Sequence, residues 1–108
     1  MTERELEKAV RKLLVWLGAW LYEWTYRTGA DTTAKKGMPD IVGCYKSRFL
    51  AIELKSPNAR RGLTIEQQAE IAAIQRAGGV AGEARSVEDV LALLADIDPT
   101  LAERVKLV

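Results

Sequence analysis

The sequence predicts an α/β fold: one mixed β-sheet flanked by helices, in the order α-β-β-β-α-β-α. Three observations lead there. Two apolar runs, residues 39–45 and 49–55, are separated only by Lys46-Ser47-Arg48, a polar spacer short enough for a hairpin turn. Both runs are apolar on both sides, as strands are when helices cover both faces of their sheet. Helical segments with N-cap residues and glycine stops lie before and after the pair.

The elements follow in chain order. Thr2 can cap a helix over residues 3 to about 17, with Leu6, Val10, Leu13, Leu14 and Leu17 on its apolar stripe, and Gly18 stops it. Residues 19–26 are aromatic-rich and read as a first strand, with Trp20, Tyr22, Trp24 and Tyr26 on one face. A polar loop, residues 27–38, leads into the hairpin, and a second loop, residues 56–62, leaves it. Thr64 caps a second helix from residue 65 to about 77, ended by Gly78-Gly79. Residues 80–85 read as a fourth strand. Ser86-Val87-Glu88-Asp89 is a variant capping box that opens a third helix, to about residue 95. Asp98-Pro99 then breaks the chain. Residues 1–97 form one domain, and 98–108 are a short amphipathic tail with no assigned structure.

Composition narrows the class. A chain of 108 residues, 48% hydrophobic and 29% charged, can bury a core unaided and matches an ordinary globular protein. No apolar stretch is long enough to span a bilayer, and the polar, acidic N-terminus is unlike a signal peptide. The lone Cys44 has no internal disulfide partner and reads as a small buried strand residue. A reducing, cytoplasmic setting is expected. The net charge of +1 conceals a segregation. Residues 27–61 carry eight Lys or Arg against three acids, a balance of +5, and residues 62–108 carry four against eight, a balance of −4. The basic stretch would draw a polyanion.

That stretch also brackets the chemistry. Pairing about Ser47 puts Asp40 opposite residue 53 or 54. Alternation sets Glu53 and Lys55 on one face and Leu54 on the other. Two carboxylates beside an ammonium suit a divalent cation and an activated water. The bland alternative is a strand ion pair and a turn aspartate.

In order along the chain stand Gly37-Met38-Pro39-Asp40-Ile41, Ile52-Glu53-Leu54-Lys55, Leu63-Thr64-Ile65-Glu66-Gln67 and Gly78-Gly79. Together they resemble the Pro-Asp…(Asp/Glu)-X-Lys signature of the restriction-endonuclease-like nucleases, and more closely the small VRR-NUC group, which is often phage-encoded. Ser86-Val87-Glu88-Asp89-Val90 is similar to that group's closing helix. The resemblance covers roughly residues 3–95. Departures are a longer loop between Tyr26 and Gly37, Ile65 where proline is common, and an unmatched tail.

The resemblance implies a restriction-endonuclease-like sheet and a metal-dependent endonuclease that hydrolyses DNA phosphodiester bonds. Asp40, Glu53 and the backbone carbonyl of Leu54 would hold the cation. All-oxygen donors and the absence of His point to Mg²⁺ or Mn²⁺. Lys55 would neutralise charge on the reacting phosphate. Gln67 matches the group's conserved glutamine and is assigned to orienting water or metal. A further carboxylate is expected from the first helix, Glu3 before Glu7. Arg27, Lys35, Lys36, Arg60 and Arg61, in the loops flanking the site, are candidate DNA contacts that read shape, not sequence. Small members of the group are homodimers that cut branched DNA, so a homodimeric Holliday-junction resolvase is expected. The alternatives are a flap or duplex nuclease of the same fold, and a DNA-binding module without activity.

Overall fold

The computed structural model describes residues 1–23 and 36–106 of the chain. Its elements are α1 (Glu3–Leu17), β1 (Trp20–Leu21), β2 (Ile41–Tyr45), β3 (Arg48–Leu54), α2 (Ile65–Arg76), β4 (Val80–Ala84), α3 (Val87–Leu94) and α4 (Leu101–Lys106). The expected order holds, with one helix added at the end.

The first three helices start where their caps dictate. Thr2 Oγ1 accepts from the Glu5 N–H at 3.1 Å while Glu5 Oε1 accepts from the Thr2 N–H at 3.0 Å, a reciprocal capping box. Gly18, at φ 103°, turns the chain out of α1. Thr64 and Gln67 build the same box on α2. Ser86 accepts from the Asp89 N–H, but the Asp89 carboxylate reaches back to the Arg85 N–H at 2.8 Å, one residue before the cap.

The sheet order is β1-β2-β3-β4. β1 and β2 are antiparallel, as are β2 and β3; β3 and β4 are parallel, joined through α2. The turn between β2 and β3 is tighter than expected. Tyr45 pairs with Arg48, so only Lys46 and Ser47 span it, both left-handed at φ 49° and 66°. Those signs make a two-residue hairpin whose twist matches the strands. Arg48 therefore belongs to β3. β1 is shorter than the expected residues 19–26. Beyond Leu21 the ladder gains one more bond, from the Tyr22 N–H to the Val42 carbonyl. The partner strand starts at Ile41, after Pro39, which has no N–H to extend pairing. Residues 24–26 lie outside the described residues.

Alternation sorts the strands between two layers. Ile41, Tyr45, Leu50, Ile52, Leu54 and Ala84 face α1, α3 and α4 in the main core. Leu6, Val10 and Leu14 of α1 are fully buried there, and each such side chain contributes about 1.5–3 kcal/mol. Val42, Ala51 and Ala81 face α2, packed by Ile71 and Ile74 with Met38 and Leu63. This second layer is smaller, because α2 packs against β3 and β4 and leaves the β1–β2 side of the face open. Cys44, expected to be buried, is exposed for that reason, in a cross-strand row between Trp20 and Phe49.

The tail is a packed helix. Leu101 is buried in the main core, and Val105 packs against it. Asp98, 3% exposed, accepts from the Tyr45 hydroxyl, from Thr100 Oγ1 at 2.7 Å and from Arg104 at 3.3 Å. Arg104 also donates to the Leu17 carbonyl at 2.9 Å, tying α4 to the end of α1. Among the described residues no helix is long and apolar enough to cross a membrane.

Candidate active site

The face that carries α2 also carries the acids. The β2–β3 register runs to Ile41 opposite Ile52, so Asp40, the next residue outward, falls opposite Glu53. Gly37 sets the approach. It has φ 89°, and a Cβ there would lie 2.7 Å from the backbone of Glu66, so the segment leading to Asp40 lies against the first turn of α2.

Asp40 is held by the strand it faces. Its Oδ2 accepts from the Leu54 N–H at 2.8 Å. The Leu54 side chain is wholly buried in the other layer, so only its backbone serves this face. Glu53 is 4% exposed, and its Oε1 has no hydrogen-bond partner among the described residues. Burial is the main reason that its carboxyl is pushed up to about 8. The Asp40 carboxyl beside it adds to the rise, Lys55 opposes it, and Glu3 adds a further small push. Glu53 Oε1 is thus a buried acceptor next to a second carboxyl group.

The three N-terminal glutamates separate by role. Glu5 closes the capping box, and Glu7 pairs with Arg11 at 3.0 Å. Glu3, exposed at the start of α1, is the one whose charge is felt at Glu53. Gln67 is engaged in the cap of α2. Its Oε1 accepts from the Thr64 N–H at 2.9 Å, and none of its hydrogen bonds among the described residues reaches Asp40, Glu53 or Lys55. Lys55 follows β3 directly, with its N–H donating to the Ala84 carbonyl at 3.1 Å. Arg60 and Arg61 are exposed on the following loop, and Lys36 pairs with Glu66 at 3.4 Å. Arg27 and Lys35 lie outside the described residues.

Two arginines near the site were not expected. Arg11 donates to the carbonyls of Asp40 and Tyr22, each at 3.3 Å, as well as to Glu7. The Glu7–Arg11 spacing (i, i+4) was visible in the sequence, but its reach to Asp40 was not. Arg85 pairs at 3.4 Å with Glu83, which stands in register beside Glu53 on β4. Only the β3–β4 register reveals that neighbour.

The residues present fit a hard cation. The unpartnered Oε1 of Glu53 and the adjacent Asp40 carboxyl are oxygen donors whose mutual repulsion a cation would relieve. Among the described residues no three His, Cys, Asp or Glu side chains group closely enough to enclose a metal. Two carboxylates, completed by backbone and solvent oxygens, suit Mg²⁺, which keeps much of its water. Comparison of the chain with family models, with curated proteins and with solved structures finds no match.

Proposed function

We propose that the protein is a divalent-metal-dependent, structure-selective DNA endonuclease, acting as a homodimer on four-way junctions in an intracellular setting. The observation that carries this reading is the buried Glu53 oxygen, unpartnered among the described residues, beside the Asp40 carboxyl, with the Lys55 charge felt at the same acid. The excess of positive charge over residues 27–61 adds to it, since that segment surrounds the acids.

Asp40, Glu53 and the Leu54 carbonyl would hold Mg²⁺ or Mn²⁺, which when bound supplies Lewis-acid polarisation of a phosphate oxygen. The chain's own groups do the rest. The Leu54 N–H fixes one Asp40 oxygen and leaves the other to the site. The Lys55 ammonium offsets negative charge as it builds on the phosphoryl oxygens, and positions the attacking water. Glu3 adds a carboxylate at the rim, and Gln67 is assigned to orienting water with the amide group that its capping oxygen leaves over. Lys36, Arg60 and Arg61, together with Arg27 and Lys35, contact phosphates on either side. A two-fold dimer would present two such centres, as cutting both strands of a junction requires.

The test is cleavage of a labelled four-way junction and a matched linear duplex, in Mg²⁺ and in EDTA. Wild type nicks the junction in Mg²⁺ only, and Glu53→Ala lowers the rate by at least about 10²-fold, the scale of losing one electrostatic stabiliser. Equal cutting of linear duplex would retain the nuclease and remove the junction preference. Binding without cutting would leave a DNA-binding module.

A further inference from the structure

Arg85, at the end of β4, has bonding that the chemistry above does not use. Its Nη1 donates to the Ala59 carbonyl at 2.6 Å and its Nη2 to the Arg61 carbonyl at 3.2 Å. Its Nε faces the Glu83 carboxylate at 3.4 Å. Its own N–H is held by Asp89, so the residue is anchored to the first turn of α3. A single guanidinium thus spans two backbone carbonyls of the loop that follows Lys55, and one acid beside Glu53 in the sheet. Between those carbonyls the side chains of Arg60 and Arg61 stand exposed. Only a fork of fixed geometry can hold two carbonyls and a carboxylate at once; an ammonium is a point charge.

We propose that Arg85 is a positioning residue: it clamps residues 59–61 by their carbonyls so that Arg60 and Arg61 present their charges to the phosphates of DNA beside the Asp40–Glu53 pair. This rests on the nuclease reading for its ligand, but not for the clamp itself. Pairing with Glu83 also neutralises a third acid next to Glu53, which would otherwise repel the same phosphates.

Arg85→Lys keeps the charge and removes the fork. Limited trypsin digestion without DNA, read by mass spectrometry, should show faster cleavage after Arg60 and Arg61 in this variant, with a thermal midpoint near wild type. Arg85→Gln, run in parallel, covers the case that the lysine variant fails to fold. On a labelled four-way junction, Arg85→Lys should raise KM and leave kcat near wild type. The slope of log affinity against log salt should shrink by about 1–2, the share of one or two phosphate contacts. Adding the substitution to an Arg60→Ala/Arg61→Ala protein should weaken binding no further, because the groups act as a unit. Unchanged trypsin cleavage overturns the clamp. Additive losses, or a fall in kcat alone, overturn its link to Arg60 and Arg61. A wild-type protein that binds no DNA overturns the phosphate role together with the nuclease reading, while the trypsin comparison still decides the clamp.

Discussion

Glu53 and Asp98 are both buried acids, and their environments drive them in opposite directions. Glu53 meets burial and another carboxyl, so its proton is held more tightly. Asp98 accepts from Tyr45 and Thr100, which hold its carboxyl below its ordinary value of 3.8. Tyr45, buried and bonded to that carboxylate, is pushed up to about 12. The stability that Asp98 contributes is therefore present above pH 3.8 and lost as pH falls through its lowered folded value. Tyr45 contributes stability that is full below pH 10 and lost as pH rises toward 12. Urea midpoints should fall at both ends for wild type, and Tyr45→Phe should flatten the alkaline fall. An unchanged alkaline profile in Tyr45→Phe would show that the hydroxyl is not responsible. Asp40, Glu53 and Lys55 were legible as a group because period-two alternation fixes which strand residues share a face. Arg11 and Arg85 were not, since a side chain bonding to distant carbonyls leaves no pattern in sequence.

At the scale of elements, the caps of α1 and α2 were readable because Thr followed three residues on by Glu or Gln is a local signal. The hairpin was readable in outline, with its register narrowed to residue 53 or 54 opposite Asp40, of which the structure has Glu53. Lys46-Ser47 lacks the Asn-Gly chemistry that marks a two-residue turn, although both residues are left-handed. Left-handed backbone at a residue with a Cβ costs about 1–2 kcal/mol, partly offset by the freedom that glycine loses on folding. Ser47→Gly should thus stabilise the protein by about 0.5–1 kcal/mol, read as a higher urea midpoint with unchanged slope. A lower midpoint would mean that the turn is not strained there. The exposure of Cys44 belongs to the same scale: where a helix stops covering a sheet depends on its length and crossing angle, which strand composition does not contain.

Across the whole molecule, the mixed sheet with helices on both faces was legible from the order of apolar runs and caps. The place of α4 was not. Residues 98–106 dock through Leu101, buried in the main core, and through the bonds of Asp98 and Arg104 to Tyr45, which lies far from both in the chain. The same folding that closes this network at the hairpin end brings Asp40 and Glu53 together at the other end of β2 and β3. Because Glu53 is raised on folding, the metal-free protein loses stability as pH climbs from 4.5 toward 8. Under the proposed function, a bound cation would offset that cost.

The most direct measurement is therefore the thermal midpoint at pH 8 as Mg²⁺ is titrated, for wild type and Glu53→Gln. Glu53→Gln should melt higher than wild type without metal, because the amide removes the buried charge. Saturating Mg²⁺ should raise the wild-type midpoint by on the order of 10 °C, the effect of ligand at about 100 times its Kd on a domain of this size, and leave Glu53→Gln unmoved. Equal responses in the two proteins, or none in wild type, would contradict a cation held by Glu53.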